Sequence, residues 1–193
     1  MSLTIAYRQP PVSGNGLCVT PVGIPSRPVH VYLYGDLLEE LHYNATLRVA
    51  RGLLMGAFYT APVDNAADAP SGKKTDYVLV SSFQDTYPVA HALDYAGYLR
   101  RLKNYTNNGS AQPILGTVFM SPEPISLYLE DLMLQRSYFA SSHQIALYVE
   151  GGSACPRVFM LDDDAKFIET GYFIIHTPDM LFSFDLSASK SDK

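Results

Sequence analysis

The chain has 193 residues, 47% of them hydrophobic and 17% charged, enough to bury one sizeable core without dividing into two equal domains. Its formal charge of −5, from 14 Lys and Arg against 19 Asp and Glu, comes without a basic run able to neutralise a row of phosphates, so nucleic acid is not an expected partner. No basic cluster precedes an apolar stretch in residues 1–10, and no apolar run approaches the roughly 20 residues of a membrane helix, so the expected location is cytoplasmic, with no cleaved signal and no membrane contact.

Residues 1–27 are rich in proline and glycine, which break helical and strand periodicity alike, and read as an extended arm ahead of a domain spanning 28–180. Val29 to Tyr34 is β-branched and aromatic and predicts a strand; Asp36 stands where an N-cap would open a helix over Leu37 to Leu41. Arg51 to Ala61 and Tyr77 to Phe83 predict two strands of a hairpin, joined by an Asp-, Ala-, Pro- and Gly-rich tip at 63–74. Ala92, Tyr95, Ala96, Leu99 and Leu102 follow helical spacing and predict a second helix over about 89–105. Ile114 to Met120 predicts an apolar strand, and Leu129, Leu132, Met133 and Phe139 suggest a third helix beyond Pro122 and Pro124. Strands are expected at Gln144 to Val149, Arg157 to Leu161 and Phe167 to His176, and a disordered tail at 187–193. This succession predicts an α/β fold, a mixed β-sheet flanked by helices.

Few residues stand at spacings that carry chemistry. His30, His42, His91, His143 and His176 form neither HxH nor HxxxH, so a histidine metal site would have to be assembled by folding alone. Cys18 and Cys155 lie outside any CxxC or zinc-finger spacing and read as two thiols, with a disulfide as the alternative. Cys155 falls in a hairpin turn rather than at a helix N-terminus that would activate it. Asp162, Asp163 and Asp164 lack the glycine and distal glutamate of a calcium loop and read as a solvated turn. Glu39, Glu40, Glu123 and Glu130 read as solvent-facing charges, and Ser121 has no GxSxG elbow around it. The 14 tyrosines, with no tryptophan, suit half-buried positions at sheet surfaces and protein contacts.

Several stretches resemble the JAB/MPN domain over about Pro28 to His176. Gly52-Leu53-Leu54-Met55-Gly56 is similar to the family's "GLLLG" strand, Ser81-Ser82-Phe83 to its "NSF" ending, Tyr95 to Lys103 to its helix before the motif strand, and Ile114 to Pro122 to its "VVGWYHSHP". The resemblance implies a layered, cytidine-deaminase-like sheet flanked by helices. In active members two histidines and an aspartate hold zinc and a glutamate polarises the attacking water. The matching positions here are Phe119, Ser121, Asp131 and Val49, with Tyr128 where the family has serine; only the aspartate is kept. The resemblance therefore implies no catalytic residue, no metal ligand set and no cofactor, and a degenerate member that acts as a non-catalytic interaction or scaffold domain. Its partner would be another protein or a second copy, met through MPN-type helices. The alternative is an isopeptidase-like hydrolase with metal ligands relocated near Asp131.

Overall fold

A computed structural model describes residues 18–24, 29–62, 74–88, 113–127, 129–141 and 143–176. The expected helix at 89–105, the hairpin tip from 63 to 73, the tail at 187–193 and most of the amino-terminal arm lie outside these residues. Within the arm, Cys18–Val22 forms a strand, β1. β2 (Val29–Tyr34) runs directly into α1 (Gly35–Leu47), so Tyr34, not Asp36, is the N-cap, and Asp36 sits in the first turn. There follow β3 (Ala50–Pro62), β4 (Lys74–Pro88), β5 (Ile114–Ser121), α2 (Leu129–Tyr138), β6 (Ile145–Glu150), β7 (Arg157–Leu161), β8 (Phe167–Thr170) and β9 (Tyr172–His176).

All nine strands join one mixed sheet in the order β1-β9-β2-β4-β3-β5-β6-β7-β8. The helix-flanked α/β architecture expected from the sequence, and the JAB/MPN layering attached to it, are thereby corrected: the molecule is mostly β, a curled nine-stranded sheet with two helices among the described residues. The physical reason is the length of the strands. The hairpin arms are 13 and 15 residues long and pair antiparallel along almost their whole length, well beyond the runs their apolar residues marked.

The curl follows from one residue. The sequence predicts a single strand over Phe167 to His176, but Gly171 divides it: β8 pairs with β7 at one edge, while β9 lies between β1 and β2 near the other. In a flat sheet seven strand spacings would separate β8 from β9, about 34 Å at 4.8 Å each, which no single residue spans. The sheet must therefore wrap round to bring its ends together. At that seam the Gly171 N–H donates to the Ile24 carbonyl at 3.1 Å, and a Cβ on Gly171 would lie 2.6 Å from the Ile24 nitrogen, so only glycine fits.

The main core lies between one face of the sheet and α1. Leu37, Leu38, Leu41 and Ala45, on one side of the helix, pack with Val31, Leu33, Ala50, Leu54, Val118, Met120, Leu147 and Val149. Strand alternation sends Arg51, Phe119 and Tyr148 to the opposite face, where α2 lies.

Candidate functional site

Of the residues that the sequence marks, Phe119 comes together with Asp131, in the company of Arg51 and Tyr148, which the sequence reading did not single out. Arg51, Phe119 and Tyr148 are direct cross-strand neighbours on β3, β5 and β6 and form one row on the sheet. α2 crosses this row and lowers Asp131 onto it. The Arg51 guanidinium donates from one terminal nitrogen to Asp131 Oδ1 at 2.6 Å, and its carbon lies 4.3 Å from the centre of the Phe119 ring. Asp131 is buried, and Arg51 nearly so, so the charge pair sits in a medium that screens it poorly. Tyr148 meets Phe119 edge-on at 6.1 Å; burial first, and the Asp131 carboxylate second, push its hydroxyl above the ordinary phenol range, keeping it protonated. Asp131 Oδ2 is buried without a hydrogen-bond partner among the described residues.

These residues do not fit a zinc ion. The one carboxylate of the set is already neutralised by a guanidinium, and the two positions where the resemblance places histidines present an aromatic ring lying against that guanidinium and a hydroxyl that serves the backbone. Ser121 Oγ accepts from the Glu123 N–H at 3.1 Å, which makes it a turn residue. Val49 lies just before β3, two residues from Arg51. Sequence comparison singled out Val49 and passed over Arg51; the signal that could have found it is a lone cation in an otherwise apolar strand, RGLLMGAFY.

α2 is turned inside out relative to its hydrophobicity. Its inward side carries Asp131 and Gln135, 4% and 1% exposed, along with Leu134. Leu129 and Met133, two of the apolar residues that suggest the helix in the sequence, are 67% and 57% exposed, and Leu127 just before the helix is exposed as well. The reason is that α2 is anchored by polar contacts rather than by a stripe. Besides the Asp131 pair, Arg136 donates twice to the Ala165 carbonyl, at 2.8 and 2.6 Å, while Gln135 Nε2 closes the helix's own end by donating to the Phe139 carbonyl at 3.2 Å. Phe139, just past the end of the helix, is buried.

The other candidates stay scattered. His143 stacks on Phe58 at 4.2 Å, His30 packs between Tyr77 and Phe173, and His176 shares a hydrogen bond with Thr20 at 3.1 Å. Burial lowers the imidazoles of His30, His42 and His143 below the ordinary value, and at His143 the Asp76 carboxylate opposes the shift. Asp162 closes the β7–β8 turn by accepting the Lys166 N–H at 2.7 Å, while Asp163 and Asp164 are exposed. Glu39, Glu40 and Glu123 are exposed; His91, Tyr128 and the Glu130 side chain lie outside the described residues. Glu150, not singled out by sequence, accepts from the Ile125 N–H and from Arg157, both at 3.0 Å, and fixes the chain leading into α2. Among the described residues no group of three or more His, Cys, Asp or Glu side chains could hold a metal ion.

No protein-family model matches the chain, and no curated protein matches it. Among the described residues no helix is long and apolar enough to cross a membrane.

Proposed function

We propose that this chain is a non-catalytic protein-interaction domain whose partner, another protein or a second copy, packs on the outer side of α2. The observation that carries the reading is the inverted helix: Leu129 and Met133, one turn apart, face solvent with Leu127 beside them, while Asp131 and Gln135 are spent inward. Folding alone favours the opposite arrangement, because burying a leucine or methionine contributes about 1.5–3 kcal/mol. An apolar stripe kept outward on a clamped helix is the anatomy of a contact surface, whose core is depleted of charge and rich in Met and large apolar groups. The Arg51–Asp131 pair supports a non-catalytic role in the same place, since it commits the one carboxylate that resembles a zinc ligand to holding the helix. An exposed, unpaired Cys155 is in keeping with a reducing, cytoplasmic setting.

The test is a photo-crosslinking residue placed at 133 in the full chain, with position 39 on α1 as a control. We expect a protein adduct from position 133, of this chain or another, that is absent from position 39 and disappears on Leu129→Glu. Equal labelling from both positions, or a monomer that gives no adduct from 133, would sink the reading.

A further inference from the structure

β3 is longer than one of the two strands beside it. Its 13 residues pair with β4 from Ala50 to Pro62, but β5 has only 8 residues and meets β3 no further along than Met55. One more bond, from the Gly56 N–H to the Pro113 carbonyl at 3.3 Å, ends that ladder. Beyond it β3 has β4 on one side and, among the described residues, no strand on the other.

Strand geometry fixes what this edge offers. In an antiparallel strand the N–H and C=O of one residue point the same way, and the direction alternates along the chain. The Gly56 N–H points away from β4, so the N–H and C=O of Phe58 and Thr60 point away as well, while those of Ala57, Tyr59 and Ala61 are turned to β4. Among the described residues no backbone group meets the outward ones of Phe58 and Thr60. Such an edge is a template for another strand unless its residues protect it. β1, at one end of the strand order, carries Pro21, and β8, at the other, has only 4 residues and an exposed Glu169. Ala57-Phe58-Tyr59-Thr60-Ala61 has neither a charge nor a proline, and Ala57 to Thr60 are half-buried.

The occupant follows from the symmetry of that segment. Tyr59, with Ala57 and Ala61, lies on the sheet face of Tyr77 and Leu79, while Phe58 lies on the other face against His143. About Tyr59 the segment has an alanine at either end. Antiparallel pairing about a two-fold axis through Tyr59 sets Phe58 opposite the second copy's Thr60, and Thr60 opposite its Phe58, each pair exchanging both N–H···O bonds. Tyr59 then meets its own counterpart in a non-hydrogen-bonded pair, where side chains come closest, and the alanines on either side leave the two rings room.

We propose that the open edge of β3 pairs with β3 of a second copy, antiparallel and centred on Tyr59, so that the sheet continues from one molecule into the next. This contact does not depend on the α2 surface.

Like charges placed at position 59 stand directly opposite each other in this arrangement, and opposite charges attract there. Light scattering and native mass spectrometry on the full chain should show a dimer whose dissociation constant rises at least about tenfold with Tyr59→Lys or with Tyr59→Glu. An equal mixture of the two variants should recover a mixed dimer, because the lysine of one copy meets the glutamate of the other. A wild type that stays monomeric would overturn the proposal, as would a mixture without mixed dimer. A dimer lost on Leu129→Glu but indifferent to charge at position 59 would overturn it as well. Should the charged variants fail to fold, Tyr59→Cys in a chain with Cys18→Ser and Cys155→Ser decides. Across the axis the two Cα atoms would stand about 4.5 Å apart, within disulfide reach, so oxidised glutathione should join two copies much faster than it joins the Thr20→Cys variant on the exposed edge of β1. Equal rates would overturn the proposal.

Discussion

The two helices cover opposite faces of one sheet and are held there by different forces. α1 buries Leu37, Leu38, Leu41 and Ala45 and leaves its glutamates in water, so its position is fixed by apolar area, which is non-directional and tolerant of small shifts. α2 buries a carboxylate and an amide and is fixed by the Arg51–Asp131 ion pair and by the two hydrogen bonds from Arg136 to the Ala165 carbonyl. Ten residues are too few for a helix to stand alone in water, so α2 depends on those contacts for its existence. A helix pinned by polar contacts leaves its apolar residues available to something else.

That contrast can be broken most sharply at Asp131. Asp131→Ala removes the buried carboxylate that the Arg51 guanidinium meets in a poorly solvated site and should cost about 3–5 kcal/mol in urea unfolding. Replacing both ends of the pair, Arg51→Met with Asp131→Leu, should recover most of that loss, because the buried charge disappears with its partner. Should the double variant be no more stable than Asp131→Ala, the pair is not what clamps α2.

On the other helix, Leu41→Ala opens a cavity in fully buried packing and should cost about 2–5 kcal/mol, with no rescue available from a charged partner. Hydrogen exchange would separate the two cases. Asp131→Ala is expected to deprotect the α2 amides well before the sheet, whereas Leu41→Ala should lower protection throughout. On the solvent side, Leu129→Glu and Met133→Glu should change stability by less than about 0.5 kcal/mol, as surface substitutions do, while abolishing the adduct from α2. A large destabilisation there would mean that the stripe packs within the chain.

The smallest expected effect is one of pH. His30, His42 and His143 have folded values lowered by burial, so the unfolded chain takes up protons more readily than the fold does as pH drops. Their contribution is present in full above the unfolded value of about 6.5 and is lost as pH falls through the lower folded values. The melting temperature should decline modestly between about pH 6.5 and 5, and His143→Gln should flatten part of that decline. A profile that rises toward acid would contradict the burial of these rings.

Local pattern was a good guide to the strands and a poor one to their arrangement. The runs at Val29 to Tyr34, Ile114 to Met120 and Arg157 to Leu161 announce β structure because β-branched and aromatic residues suit a pleated surface, and they form strands where expected. Phe167 to His176 announces one strand equally well, yet becomes two at opposite ends of the sheet order, because the approach of Gly171 to Ile24 involves residues far apart in the chain. The candidate site divides the same way. Asp131 and Phe119 drew attention through a resemblance in sequence, but Arg51 did not, since its importance comes from standing opposite Phe119 on the neighbouring strand.

The sequence by itself therefore determined most of the strand segments and the α1 stripe, which depend on residue type and spacing along the chain. Only the tertiary structure decided that the sheet curls shut and that α2 carries its polar side inward. Those features arise from contacts between residues distant in the chain, where one ion pair or one glycine outweighs the local preference of a whole segment.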